Sequence, residues 1–439
     1  MDVLSATASE RHAGERQALQ ARFWSRDSVQ LGGAILIATI LPLCVAAIIE
    51  PYLLRLSLFA VSGVASIAGI TIGFWIFRNL IAFPGIRASY YVLPVFSSTF
   101  AAIFVVLFAL RLQYSRPLLA AAFLLSLTWY YTVYFMLQRR RRLNIAVVPF
   151  GAVDSLYAID SIAWTRLATP VFPRHCTLLV ADFDHDLPPE WERFLAECAL
   201  ARVSVVHYKQ LRQSLTGQVQ MERLSENAYG SLVPNPIYLT VKYVADLTIA
   251  LIVCPVVAPI VLAVAVLVKL DSAGPVFFRQ RRIGYGGRPF AVWKFRTMSG
   301  APPASPTLEV ETGRQAAMTV DSDCRITRIG HTLRRTRIDE LPQWLNVVRG
   351  EMSWIGPRPE AEILSLWYEA EIPFYRYRHV VRPGVSGWAQ VNQGHVTGIG
   401  DVLKKLSYDF FYISRFTFWI DMLIVVRTIK TLLTGFGSR

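Results

Sequence analysis

The stretch that decides how this chain meets a membrane is Leu247–Val268, LTIALIVCPVVAPIVLAVAVLV, 22 residues without a charge between Asp246 and Lys269. About 20 apolar residues span the hydrocarbon of a bilayer, so the length qualifies. Pro255 and Pro259 sit in its middle. Each proline removes a backbone donor and crowds the preceding turn, which predicts a broken helix. A simple crossing would send everything after it to the far side. Yet Arg279, Arg281, Arg282, Arg288, Lys294 and Arg296 follow at once, and basic flanks resist translocation. The reading is a helix–break–helix that enters and returns on the cytoplasmic side, its freed backbone groups satisfied within the protein.

Working outward from that segment, the 439 residues are 53% apolar and only 17% charged, against about 25% charged in an ordinary soluble domain. Disorder, a small disulfide scaffold and a plain soluble enzyme are excluded, and the length suggests roughly three units. Four more uncharged stretches precede it: Leu31–Ile49, Leu56–Phe77, Ala88–Leu110 and Pro117–Gln138, of 19, 22, 23 and 22 residues. Each is long enough for a transmembrane helix. Arg139-Arg140-Arg141-Arg142 closes the fourth and is read as cytoplasmic. Four crossings put the N-terminus, with Arg11, Arg16, Arg22 and Arg26, on the same side. Five cysteines (Cys44, Cys176, Cys198, Cys254, Cys324) show no CxxC spacing, which argues for a reducing compartment and against structural zinc.

The net charge of +14 is unevenly placed: +8 over residues 1–142, −3 over 143–236 and +9 over 237–439. The middle region is thus no polyanion binder by bulk charge. It reads as α/β, with strands at Asn144–Pro149, Thr177–Ala181 and Val203–His207 and helical sequence between them, the alternation of a parallel sheet. The dinucleotide fingerprint GxGxxG is absent, since one glycine, Gly151, follows the first strand. A bound nucleotide and a packing or regulatory role both stay open. His175, His185 and His207 show no ligand spacing and read as strand-end or surface residues. Beyond the apolar segment, Phe290–Phe295 reads as a strand and 299–318 as a mobile loop. Trp344–Arg349, Ile363–Tyr377 and Phe410–Leu433 mix apolar, aromatic and basic residues, as interfacial helices do.

Three polar clusters carry the chemistry. The first is Arg334-Arg335-Thr336-Arg337-Ile338-Asp339-Glu340-Leu341-Pro342. Opposite charges depress carboxylate pKa values, so both acids are expected to be ionised at neutral pH. Pro342 suits the first turn of a helix, whose N-terminus attracts phosphate. The second runs from Gly350 to Pro359, its Gly356-Pro357-Arg358-Pro359 turn presenting one guanidinium suited to phosphate. The third is Arg382-Pro383-Gly384-Val385-Ser386-Gly387-Trp388-Ala389-Gln390-Val391-Asn392. Singly, each suits a structural turn. Together they supply carboxylates for a divalent cation or a nucleophile, and arginines for phosphates.

These clusters, with Lys294-Phe295-Arg296-Thr297-Met298 ahead of them, occur in the order seen in the bacterial sugar transferases, the monotopic polyprenol-phosphate phosphoglycosyl transferases. The resemblance covers about residues 237–439. The N-terminal half resembles, by architecture only, the family's long form. The fold class implied is membrane α-helical plus α/β. A cytoplasmic segment (1–30) and a four-helix transmembrane region (31–142) precede a small Rossmann-like parallel-sheet domain (143–235). A mainly α monotopic catalytic domain (236–439) follows, with its re-entrant helix at 247–268.

The resemblance implies transfer of a sugar 1-phosphate from a nucleotide diphosphate sugar, usually a UDP-sugar, to undecaprenyl phosphate, with UMP leaving. Such a step starts O-antigen or other surface polysaccharide synthesis at the cytoplasmic face of a bacterial inner membrane. It implies a covalent phospho-sugar intermediate on Asp339, with Glu340 positioning Mg²⁺ or the acceptor and the metal held by Asp339 and Glu340. Arg334 and Arg358 match phosphate-holding positions, and Lys294, Arg296, Arg382 and Gln390 join them as candidates. Asp421 matches a further acidic site position and Asp246 a structural one. The family's re-entrant helix commonly breaks at Ser-Pro, where this chain has Cys254-Pro255, and Cys is the weaker donor. A homodimer is an expectation for the long form, nucleic acid is not, and the sugar and the pathway are not legible. A non-catalytic scaffold or sensor that binds nucleotide sugar through residues 143–235 is the alternative reading.

Overall fold

The structure is a computed structural model. It describes residues 24, 26–49, 56–81, 88–138, 144–159, 162–173, 176, 178–201, 203–219, 233–299, 325–372, 374–393 and 399–434. Residues 139–142, Arg11, Arg16, Arg22, His175, Cys324 and all but the first residue of the loop expected over 299–318 lie outside them. The chain divides into two compact units, Met1–Thr216 and Gly217–Arg439.

The first unit begins with α1 (Asp27–Ile35), which passes through a π-helical turn at Leu36–Ile40 into α2 (Leu41–Ile49). Then come α3 (Leu56–Ile81), α4 (Ser89–Ala109) and α5 (Arg116–Gln138). Uniformly apolar sequence gives these helices no polar side, so small residues decide where they approach. A Cβ at Gly73 would lie 2.8 Å from the Phe96 ring. Phe96 in turn stacks on Tyr130 with centroids 4.6 Å apart, joining α4 to α5. Ser115 N–H donates to Ser62 Oγ at 2.8 Å and Trp129 Nε1 to Gln30 O at 2.9 Å. Outward faces stay apolar, with Ile48, Val64, Trp75, Val105 and Phe108 exposed, as a lipid-facing surface requires.

The α/β part holds β1 (Asn144–Val147), β2 (Ala163–Arg166), β3 (Leu178–Ala181), α6 (Pro189–Leu200), β4 (Ser204–His207) and α7 (Tyr208–Thr216). The strands are all parallel in the order β2-β1-β3-β4. Period-2 alternation sends Ala146, Leu179 and Ala181 to one face with Trp191 and Phe194 of α6. Ile145, Val147 and Val180 go to the other face with Tyr208 and Leu211 of α7. Three strands match the sequence reading within a residue or two. β2 was not expected, because Ala-Trp-Thr-Arg is an edge strand with no buried residue.

The second unit starts with α8, Pro236–Asp271, a single 36-residue helix. Asn235 caps it through Oδ1, which accepts the Ile237 and Tyr238 N–H groups. The expected break at Cys254-Pro255 is not there: the helix runs through Pro255 and Pro259. Each proline removes one amide only, and tertiary contacts hold the turns on either side. Trp344 Nε1 donates to Ala250 O at 2.9 Å, while Val264 and Val268 pack with Phe295 and Leu333. Buried positions recur at Lys242, Asp246, Ala250, Val257, Val264 and Val268, one face of a 3.6-residue period. The rest of its surface exposes Leu251, Ile252, Val256, Ile260 and Leu262. With α8, five helices among the described residues are long and apolar enough to cross a membrane by length and composition.

After α8, β5 (Phe277–Ile283) pairs antiparallel with β6 (Pro289–Phe295). Next come α9 (Arg328–Thr336), a 3₁₀ turn (Ile338–Gln343), α10 (Trp344–Val348), β7 (Ser353–Ile355) and α11 (Glu362–Glu371). β8 (Gly384–Ser386), α12 (Trp388–Asn392), α13 (Ile399–Ser414) and α14 (Phe418–Thr434) complete the unit. β7 pairs parallel with β8. β5, missed in the sequence, carries three arginines among its seven residues, and its pairing with β6 is what makes it a strand.

Candidate active site

The carboxylate pair stands on the 3₁₀ turn after α9. Arg337 ends α9 in the left-handed region (φ 55°, ψ 19°), so the chain turns sharply and Asp339 and Glu340 fall in the first turn of the next element. Glu340 is held by two cations from distant elements. Arg358 grips it with both terminal nitrogens, Nη2 to Oε1 at 2.6 Å and Nη1 to Oε2 at 3.3 Å. Lys294 Nζ on β6 reaches Oε1 at 2.9 Å. Burial pushes the Glu340 carboxyl up, but Arg358 and Lys294 outweigh it and hold the group well below the usual carboxylate range.

Asp339 differs. No hydrogen bond to its carboxylate occurs among the described residues. Burial raises its pKa first and the Glu340 charge second, against the pull of Lys294, Arg334 and Arg358. The sequence expectation that neighbouring arginines depress both acids is thereby corrected. The cations bond Glu340, and Asp339 feels them only at a distance. Arg334, in the last turn of α9, is aimed by Thr297, whose Oγ1 accepts its Nε–H at 2.9 Å. Asp339, Glu340, Lys294, Arg358 and Arg334 are thus gathered in one place.

The second and third sequence clusters meet backbone to backbone. A Cβ at Gly384 would lie 2.0 Å from Gly356 N, and one at Gly356 would lie 2.4 Å from Arg382 O. Only glycine permits that approach. Other sequence candidates turn out to hold structure. Arg296 directs Nη2 to Ser272 O at 2.6 Å and Ser272 Oγ at 2.8 Å, beside the C-terminal end of α8. Arg382 donates Nε–H to Gly350 O at 3.0 Å and lies 4.3 Å over the Tyr243 ring. Gln390 donates weakly to Val385 O at 3.3 Å. Asp421 is buried and accepts from Tyr238 Oη at 2.6 Å, Lys242 Nζ at 2.8 Å and Tyr412 Oη at 2.7 Å. Asp246, beside that network, accepts from Ser353 Oγ at 2.6 Å.

Sequence reasoning missed Arg282, Glu360, Arg378, Lys405 and Asp409. Arg282 lies two strand positions from Gln280 and four from Phe278, which pairs with Lys294. The period of 2 would have found it had β5 been recognised. No sequence signal joins Arg378 to Asp409, 31 residues away.

One cluster of metal-ligating composition exists among the described residues, Asp182, Asp184 and His207 of the α/β part. Its protons do not suit a metal. His207 Nδ1 accepts the Lys209 N–H at 3.1 Å, which puts the ring proton on Nε2. Nε2 lies 3.5 Å from Asp184 Oδ2, and Lys209 Nζ also binds that carboxylate. Nε2–H therefore faces the acids as a donor, with no lone pair for an ion.

An apolar helix with one face on a folded unit, beside paired carboxylates ringed by cations, defines a membrane-associated enzyme acting on phosphorylated substrates. Comparison with known proteins narrows the class. The family model for bacterial sugar transferases matches residues 237–435. The chain is 43% identical over 379 residues to the UDP-N-acetylgalactosamine-undecaprenyl-phosphate N-acetylgalactosaminephosphotransferase of Aeromonas hydrophila, covering 86% of this chain and 87% of that one. It is also 43% identical over 193 residues to the UDP-glucose:undecaprenyl-phosphate glucose-1-phosphate transferase of Xanthomonas campestris pv. campestris, there covering 44% of this chain and 38% of the other. The Escherichia coli K12 protein of the same description is 38% identical over 190 residues, 43% of this chain and 39% of its own. The chain belongs to the bacterial sugar transferase family.

Proposed function

We propose that the protein moves a sugar 1-phosphate from a UDP-sugar to undecaprenyl phosphate, releasing UMP, and so initiates a surface polysaccharide. The carrying observation is the asymmetry of the acid pair: Glu340 is locked by two cations, while Asp339 has an open carboxylate. An Asp339 oxygen attacks the sugar-bearing phosphorus, the bond to the UMP phosphate breaks, and UMP departs with that electron pair. The aspartyl phosphate is then attacked by the undecaprenyl phosphate oxygen, which frees the carboxylate. One difficult displacement becomes two. Arg334, Arg358 and Lys294 offset the phosphate charge, and neither step needs a proton transfer.

Mg²⁺ fits this donor set. Asp339 is open, and Glu340 Oε2 carries a single long bond. Mg²⁺ typically takes one or two carboxylates together with substrate phosphates. When bound it would neutralise charge on the diphosphate.

α8 is the membrane anchor, and we read it as resting one face on the second unit while Leu251, Ile252 and Leu262 on its outer side meet lipid. What supports this is that both of its ends rest on the same unit. Lys242 bonds Asp421 of α14, and the Asp271 carboxylate accepts the Ile329 N–H of α9 at 3.3 Å.

The test is Asp339→Asn in membranes, given radioactive UDP-sugar. Transfer and protein labelling should both vanish while expression in the membrane persists. Wild-type turnover in that variant would falsify the covalent route.

A further inference from the structure

Arg358 stands on a turn that belongs to no helix or strand. A side chain on such a turn is only as well placed as its backbone. Here four consecutive carbonyls are held. Pro357 O accepts the Gly384 N–H at 3.0 Å and Glu360 O the Ile283 N–H at 3.3 Å. Arg358 O accepts Arg378 Nη2–H at 2.9 Å, and Pro359 O accepts Arg282 Nη1–H.

The Arg378 guanidinium is anchored well away from the turn. Its Nη2 also donates to Asp409 Oδ2 of α13 at 2.8 Å, and its Nη1 donates to Tyr375 Oη at 2.7 Å. Both side chains of the Arg378–Asp409 pair are only 2% exposed. One helical turn before Asp409, Lys405 binds Glu360. Although burial works the other way, Lys405 and Arg378 bring the Glu360 carboxyl down to about 2. α13 therefore grips the turn at two points through charged pairs, and one of them ends on the peptide of Arg358 itself.

We infer that Arg378, backed by Asp409, is a positioning residue for the transfer: it fixes the Arg358 peptide and so sets the guanidinium on Glu340 and on the incoming phosphate. The inference rests on the reading of Asp339 and Glu340 as the reacting pair. The role needs the planar fork of arginine, which serves two acceptors through one nitrogen while the other meets Tyr375. A lysine keeps the charge opposite Asp409 but not that geometry.

The test uses the full-length protein in lipid nanodiscs, assayed by UMP release with UDP-sugar and undecaprenyl phosphate. Arg378→Lys keeps the buried charge. Arg378→Met with Asp409→Leu replaces the pair by apolar groups, a change buried pairs commonly tolerate. Both should lower kcat by about 10²-fold, the scale of a 1 Å misplacement near the reacting atoms. KM for the UDP-sugar should move little and Tm should hold. In an Arg358→Lys background the same changes should add little, as coupled sites do. A purely structural role gives additive losses that track Tm. Additive losses, or wild-type kcat in Arg378→Lys, overturn the inference. No UMP release from the wild-type protein overturns the functional reading itself, and this inference with it.

Discussion

Asp421→Asn separates a reacting acid from a structural one. The resemblance places Asp421 among site acids, but in the structure it sits in a closed network. Its carboxylate accepts from Tyr238, Lys242 and Tyr412 at 2.6, 2.8 and 2.7 Å. The Lys242 and Asp421 side chains are 10% and 11% exposed, so this pair joins α8 to α14 out of water's reach. Removing the negative charge leaves the Lys242 ammonium buried, with Asp246 as its nearest remaining acid at 3.9 Å. Breaking a buried pair from one side costs about 3–5 kcal/mol. At about 2–4 °C per kcal/mol for a unit of this size, Tm should fall by about 6–20 °C. Turnover measured well below the new Tm should stay within a few-fold of wild type. The paired change Lys242→Met with Asp421→Leu should recover most of the lost stability. The assays are thermal unfolding in detergent and UMP release on the same samples. An unchanged Tm with turnover lost as completely as in Asp339→Asn refutes the structural assignment.

Three other outcomes follow from the geometry. Asp339 must be ionised to attack, and burial and Glu340 raise its pKa. The acid limb of single-turnover UMP release should therefore lie above the ordinary Asp value of about 3.9. Glu340, held low by Arg358 and Lys294, stays ionised through that window, and a limb at or below 3.9 contradicts the burial argument. Arg337→Gly relieves a left-handed residue with φ 55° and should stabilise the second unit by about 1 kcal/mol, read as a rise in Tm. Gly151→Ala puts a Cβ 2.3 Å from Asp182 Oδ2 at φ +79°. It should speed hydrogen exchange in β1 and β3 while leaving that of α8 unchanged.

Much of the site was legible in the sequence because its residues come in contiguous strings. Asp339-Glu340 and Gly356-Pro357-Arg358-Pro359 could be read as acids beside phosphate-binding cations, and the structure brings Arg358 and Lys294 onto Glu340. Which of the two acids the cations bond could not be read. A string of charges shows which groups are near in sequence but not which carboxylate a cation touches, and Arg335, though adjacent, is exposed. Arg296 and Arg382 misled for the same reason. They sit in the right motifs but bond backbone carbonyls and stack on tyrosine.

The sequence by itself determined the apolar segments and three of the four strands of the α/β part, because hydrophobic length and periodicity are properties of contiguous residues, and its ordered motif strings carried the family resemblance. Only the tertiary structure decided that α8 continues through its prolines, since the contacts that hold its turns come from Trp344, Phe295 and Leu333, all at least 27 residues downstream. It alone decided that Asp421 is enclosed by Tyr238, Lys242 and Tyr412 rather than open, and that Arg378 and Asp409 stand behind Arg358. Burial and pairing depend on groups that the chain brings together only after folding.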